Sequence, residues 1–329
     1  MGGDVIAAAG IRSRRLTKQD CLQLVRPRGE EHAELNSFSL FGRSDRFSRR
    51  CITLPGSPHH AAVHMLVLHR TQRAKVNRMA GSLVTLEVDG SPMETYVSLP
   101  GRADVVPMVV VAQHRLGLDG FMRRVCDRLA DAGFAAAAPD LYHRSWDKAQ
   151  FDDVTSLPRG HERAEAAIVA MSGKATNDQT SADMEAAIGH LADLPSVARS
   201  QLGVMGFCGG GRVAYMMATR LSGLKATALF YPGSVFAQRE DGRSAFDASD
   251  RIACPVLGLF GNNDQNPSPD DVARMDQEFK RLGVEHEFHA YDDVAHAFMD
   301  PTNTNGYSDA VEADAWAKLT AFLTAWLKG

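Results

Sequence analysis

Ten residues, Val204 to Val213 (VMGFCGGGRV), restrict the fold more than any other stretch of the chain. Gly206-Phe207-Cys208-Gly209-Gly210 fits a Gly-x-nucleophile-x-Gly pattern, in which a strand turns sharply into a helix and lifts the central side chain clear of the backbone. The outer glycines have a steric reason: two positions either side of the nucleophile the strand and helix backbones nearly touch, and a Cβ would obstruct the turn. The flanks agree. Gln201 to Phe207 is a short apolar run, and Val213, Met216, Met217 and Leu221 have helical spacing. Taken alone, the stretch also describes a glycine-rich turn around a buried, inert cysteine.

The rest of the chain supplies the sheet that such a turn needs. Leu83 to Val88 and Met93 to Leu99 alternate on either side of Asp89-Gly90, which predicts a β-hairpin. Pro107 to Gln113 is continuously apolar, as in a strand buried on both faces. Leu118, Phe121, Met122, Val125 and Leu129 form a helical stripe closed by Gly133, and Phe134 to Ala138 is the next strand, stopped by Pro139. After a loop from Asp140 to Leu157, helices are expected at about 159–171 and 179–193. Beyond the central turn come strand Ala226 to Tyr231, a polar excursion to Ile252, strand Val256 to Phe260, helix Pro269 to Leu282 and strand Glu285 to Tyr291. A last helix, about Tyr307 to Leu327, is expected to bury Val311, Trp316, Leu319, Phe322, Leu323 and Trp326. Strands separated by helices of this length predict one α/β domain over residues 79–329, a doubly wound, mostly parallel sheet with helices on both faces.

Residues 1–78 differ in kind. They hold 12 Arg and 2 Lys against 6 Asp or Glu, so this segment carries +8 and the remainder of the chain −12 within a net charge of −4. Periodicity is weak, and the expectation is a basic segment without a fold, or sequence upstream of a start at Met79. An export signal does not fit, because Val5 to Ile11 is too short an apolar core and its arginines follow it. A transit peptide fits poorly with Glu30, Glu31 and Glu34. His60 and His64 have no third ligand nearby, so no metal is expected. The acidic body argues against a nucleic-acid partner, and no apolar run approaches the roughly 18 residues of a membrane span. Five scattered cysteines (Cys21, Cys51, Cys126, Cys208, Cys254) without a CxxC pair point to a reducing, cytoplasmic setting.

A cysteine nucleophile needs a base, and the base needs a group that sets its tautomer. In open α/β sheets such groups lie beyond the carboxyl ends of the strands. Asp264 follows the strand ending at Phe260 and His296 the strand ending at Tyr291, so both belong to the same sheet edge as Cys208. Each has a plain alternative, a turn aspartate in Asn262-Asn263-Asp264 and a polar loop histidine. Oxyanion donors are expected from the backbone N–H of Gly209 and from an N–H at His114 or Arg115.

With these residues together, the chain from about Met79 resembles the dienelactone hydrolase family, α/β-hydrolases with a Cys-His-Asp triad in the order nucleophile, acid, histidine. Further stretches carry the likeness: Ala112-Gln113 with Gly117 and Phe121-Met122-Arg123, then Ala138-Pro139-Asp140-Leu141-Tyr142, then His296-Ala297-Phe298 and Gly306-Tyr307. The resemblance implies an α/β-hydrolase fold and hydrolysis of small esters or lactones without metal or organic cofactor. It also implies Cys208 as nucleophile, His296 as base and Asp264 as its orienter. Two positions depart from the family pattern. His114 stands where a glutamate activates the thiol. Asp300 stands where an arginine binds the substrate carboxylate, so an anionic lactone should be repelled, while Arg163 matches the family's other carboxylate-binding arginine. A non-catalytic ligand-binding or redox-sensing protein of the same fold is the alternative, and the oligomeric state stays open.

Overall fold

The computed structural model of the protein describes residues 81–101, 104–145, 157, 161–171 and 174–329. The expectations for residues 1–78, and most of those for the loop before Leu157, lie outside these described residues. Eight strands form one sheet: β1 (Ser82–Val88), β2 (Ser91–Ser98), β3 (Val106–Ala112), β4 (Ala135–Pro139), β5 (Val197–Phe207), β6 (Ala226–Phe230), β7 (Val256–Gly261) and β8 (His286–Tyr291), in the order β1-β2-β4-β3-β5-β6-β7-β8. β1 and β2 pair antiparallel, as does β2 with β4, and every other pairing is parallel. The hairpin turns where expected, with Asp89 (φ 51°) and Gly90 (φ 74°) both left-handed, the backbone that a two-residue hairpin loop requires.

The helices are α1 (Gly120–Asp131), α2 (Glu162–Met171), α3 (Asn177–Ala192), α4 (Gly209–Arg220), α5 (Pro269–Leu282) and α6 (Asp309–Leu327). Their ends follow local chemistry. Asp119 caps α1 by accepting from the N–H groups of Phe121 and Met122 at 2.9 and 3.0 Å, and Ser268 and Asp271 form a capping box at the start of α5. Every residue of β3 is buried, and its side chains alternate between two cores. Met108, Val110 and Ala112 face the layer that holds α3, α4 and α5. Val109 and Val111 face the layer of α1 and α6. Burial on both faces is why this strand reads as an unbroken apolar run.

Two boundaries and one burial assignment differ most from expectation. β5 begins at Val197, because Val197 pairs with Val106 across a register shift that the apolar pattern does not mark. α4 starts at Gly209, ahead of its apolar stripe; three glycines are poor helix formers, and close backbone approach overrides that preference here. In α6 it is Leu327 that is buried, while Trp326 is 37 % exposed. The last turn packs on a strand position without a side chain: a Cβ at Gly203 would come within 3.0 Å of Leu327 Cδ1.

Candidate active site

β5 delivers Cys208 into a backbone conformation that few side chains adopt, φ 57° and ψ −121°. Its surroundings hold it there. The Cys208 N–H donates to the Phe230 carbonyl at 3.0 Å, and the Cys208 carbonyl accepts from the Gly233 N–H at 3.0 Å and the Arg212 N–H at 3.3 Å. A Cβ at Gly206 would stand 2.0 Å from the Gly210 oxygen, and one at Gly210 would stand 2.3 Å from the Ala112 oxygen. The glycines are therefore required by backbone against backbone, between β5 and α4 and between α4 and β3.

Asp264 and His296 occupy the loops after β7 and β8, at the same carboxyl edge as Cys208. Asp264 is buried; one oxygen accepts the Asn266 N–H at 2.9 Å and the other lies 2.7 Å from His296 Nδ1. That contact places a proton on Nδ1 and leaves Nε2 for the Cys208 thiol. Burial opposes charge on both partners, yet their mutual contact wins. The hydrogen bond and charge of His296, the Gly209 N–H and the charge of Arg115 bring the Cys208 thiol below its ordinary range. Against the opposing effect of burial, the hydrogen bonds His296 donates to Asp264 and Cys208, with the negative charge of both, raise it to about 9. Together these favour a thiolate beside an imidazolium.

Other residues fix His296 in place, and the sequence reading did not single out most of them. Tyr231 meets its ring edge-on at 4.9 Å. Asn303 Nδ2 donates to the carbonyls of His296 and Ala297 at 2.9 and 3.2 Å, and a Cβ at Gly306 would stand 2.9 Å from the His296 oxygen. Asp300 lies in the same loop, its N–H donating to the Ala297 carbonyl and its carbonyl accepting the Asn303 N–H. It is buried, its carboxylate accepts from the N–H and hydroxyl of Thr302 at 3.0 and 2.8 Å, and it does not line the cavity around Cys208. The expected repulsion of an anion by Asp300 thus does not arise at the cavity wall.

The cavity measures about 390 Å³ and includes His114, Arg115, Cys208, Gly209, Asp264 and His296 in its lining. His114 is buried with its Nε2 3.1 Å from Asp119 Oδ2, an electrostatic contact without hydrogen-bond alignment, so its ring is tied to the start of α1. Arg115 forms an ion pair with Glu165 of α2, and its carbonyl accepts the Tyr142 hydroxyl at 3.1 Å. Arg163 is exposed on α2 outside the cavity. Two other arginines line it, Arg212 and Arg239. Arg212 had a signal in the sequence: a charge four residues past the nucleophile, directly before an apolar helical stripe. Arg239, in the polar excursion, had none.

Residues 93–327 match the model of the dienelactone hydrolase family. A proposed carboxymethylenebutenolidase of Salmonella typhimurium is 28% identical over 246 residues, which covers 73% of this chain and 86% of that protein. A protein of the same description from Synechocystis is 29% identical over 254 residues, 75% of this chain and 97% of the relative. Among solved structures, a proposed dienelactone hydrolase from Klebsiella pneumoniae superposes with a TM-score of 0.66 at 25% identity, covering 74% of this chain and 98% of that one. No helix among the described residues is long and apolar enough to cross a membrane.

Proposed function

Since the chain belongs to the dienelactone hydrolase family and is a hydrolase, we propose that it cleaves small esters or lactones through an acyl-enzyme on Cys208. The observation that carries this reading is the 2.7 Å contact of Asp264 with His296 in one cavity with a cysteine held in a strained turn. The thiolate attacks the carbonyl carbon, and the charge that moves to oxygen is met by the N–H groups of Gly209 and Arg115, on the order of 3 kcal/mol for each donor. Collapse of this intermediate releases the alkoxide, which takes its proton from the His296 imidazolium. Water then attacks the thioester while His296 accepts its proton, and Cys208 leaves as thiolate. Asp264 keeps Nδ1 protonated throughout. His114, held to Asp119, does not replace an activating glutamate; the resting thiolate needs no such trigger. The chemistry uses no metal or organic cofactor.

The test is steady-state hydrolysis of 4-nitrophenyl acetate by the wild-type chain and by Cys208→Ala. Turnover that disappears in the variant, with an unchanged circular dichroism spectrum, is the expected result. Turnover retained by the variant would remove Cys208 from the mechanism, and a wild-type chain that never turns over would favour the ligand-binding or redox-sensing alternative.

A further inference from the structure

We infer that His114 and Asp119 act as a positioning pair for the oxyanion hole: their contact holds the peptide that carries the Arg115 N–H, so that this donor meets the developing charge already in place. This role rests on the acyl-enzyme reading above and goes beyond it. It gives a task to the histidine that stands where the family resemblance had an activating glutamate.

The donor sits in a tight turn. The His114 carbonyl accepts the Gly117 N–H at 3.0 Å, and the carbonyl of Gly117, itself at φ 79°, accepts the Asp119 N–H at 2.9 Å. Because a trans peptide sets its C=O and N–H in opposite directions, a His114 carbonyl committed to the turn fixes the direction of the Arg115 N–H. Side chains close the same loop a second time. Asp119 divides its carboxylate: Oδ1 accepts from the Phe121 and Met122 N–H groups at the start of α1, and Oδ2 lies 3.1 Å from His114 Nε2. Burial alone would raise this carboxyl, but the contact with His114 and the two N–H groups bring it below its ordinary range, so Oδ2 faces the imidazole as a charged oxygen.

His114, not the side chain of Arg115, anchors this turn. Its ring is buried, at 5% exposure, whereas Arg115 is exposed and its ion pair with Glu165 lies at the surface, where such pairs contribute little. The same ring begins a row of aromatic contacts: His114 to Phe121 at 5.3 Å, Phe121 to Phe207 at 5.1 Å, Phe207 to Tyr231 at 6.1 Å and Tyr231 to His296 at 4.9 Å between centroids. Phe207 is the residue that leads into Cys208. The oxyanion turn, the nucleophile and the catalytic imidazole are thus joined by one continuous row of rings. A donor set in advance needs no reorganisation as charge develops, so fastening the turn serves the transition state directly.

The experiment measures kcat/KM for 4-nitrophenyl acetate, the Ki of a trifluoromethyl ketone and the rate of Cys208 alkylation by iodoacetamide, in the wild-type chain, in His114→Phe, in Asp119→Ser and in the double variant. Phenylalanine keeps a ring against Phe121 and serine still caps α1, so each substitution removes the contact and spares the packing or the cap. The ketone reports on the donor, because addition of the Cys208 thiolate to its carbonyl carbon places negative charge on the oxygen. Alkylation develops no such charge. The expected result is a loss of about tenfold or more in kcat/KM, a part of the roughly hundredfold effect of deleting a donor, matched by an equal rise in Ki, while alkylation keeps its rate and pH midpoint. The double variant should lose no more than the larger single loss, since both substitutions remove one contact. Should one variant fail to fold, the other decides. Full activity with unchanged Ki in either folded variant, losses that multiply in the double variant, or an equal slowing of alkylation overturns the pair and leaves the Cys208 mechanism standing. A wild-type chain that neither hydrolyses the ester nor binds the ketone overturns that mechanism and the pair with it.

Discussion

At Cys208 and His296 the deciding quantity is the pH window over which both are charged. The thiol lies below its ordinary range and the imidazole near 9, so the ion pair holds between these two values. Because the folded pKa of His296 is raised above an ordinary histidine value of about 6.5, its contribution to stability is complete below that value and fades as pH rises through about 9. Alkylation of Cys208 by iodoacetamide, followed by peptide mapping, should therefore reach half its maximal rate below the pH of about 8.5 expected for a free thiol. In His296→Gln burial is left to dominate, and the midpoint should move above that value. A wild-type midpoint at the ordinary thiol value would contradict the pair.

Between residues and the fold stand the elbow and the clamp behind it. A methyl group at position 206 or 210 collides with carbonyl oxygens that belong to other elements, while at Gly209 nothing lies within 4 Å. Gly206→Ala and Gly210→Ala should cost about 4 kcal/mol or more, or prevent folding, whereas Gly209→Ala should stay within about 0.5 kcal/mol; urea denaturation separates the cases. A second element contact ties the loop after β4 to α3: Asp183 is fully buried and meets Arg144 Nη1 at 2.7 Å and His143 Nε2 at 3.0 Å. Asp183→Asn takes the buried carboxylate away from the partly buried Arg144, which keeps only its pair with the exposed Asp89 at 2.9 Å, and should destabilise by about 3 kcal/mol. The exposed pair of Arg220 and Asp178 sets the comparison, and Asp178→Asn should cost less than about 1 kcal/mol. Equal effects of the two substitutions would show that the buried clamp is not the stronger tie.

At the scale of the described residues as a whole, two cores share one sheet, and the aromatic groups near the nucleophile belong to the layer of α1 and α6. Phe230 is fully buried, with its ring 4.6 Å from that of Phe207 and 6.3 Å from that of Tyr231, which in turn meets His296. Phe230→Ala should cost about 3–5 kcal/mol and lower kcat along with Tm, since the cavity it leaves adjoins the wall that holds the imidazole. A calorimetric Tm measured beside ester turnover tests both. Loss of stability with full kcat would mean that this layer supports the fold without supporting the site.

The sequence by itself determined the hairpin, the alternation of strands and helices and the turn at Cys208, because each depends on neighbours within a few residues: Asp89-Gly90 for a left-handed turn, the apolar run of β3 for burial on both faces, the spaced glycines for a close crossing. It also placed Asp264 and His296 at the right edge, since strand ends set that edge. Only the tertiary structure decided which side chains face the cavity. Asp300 turns toward Thr302 and away from the cavity, Arg163 stays outside, and Arg212 and Arg239, 27 positions apart in the sequence, line the same cavity. Nothing local distinguishes such residues, because side-chain direction in a loop is set by the packing of elements far away in the chain.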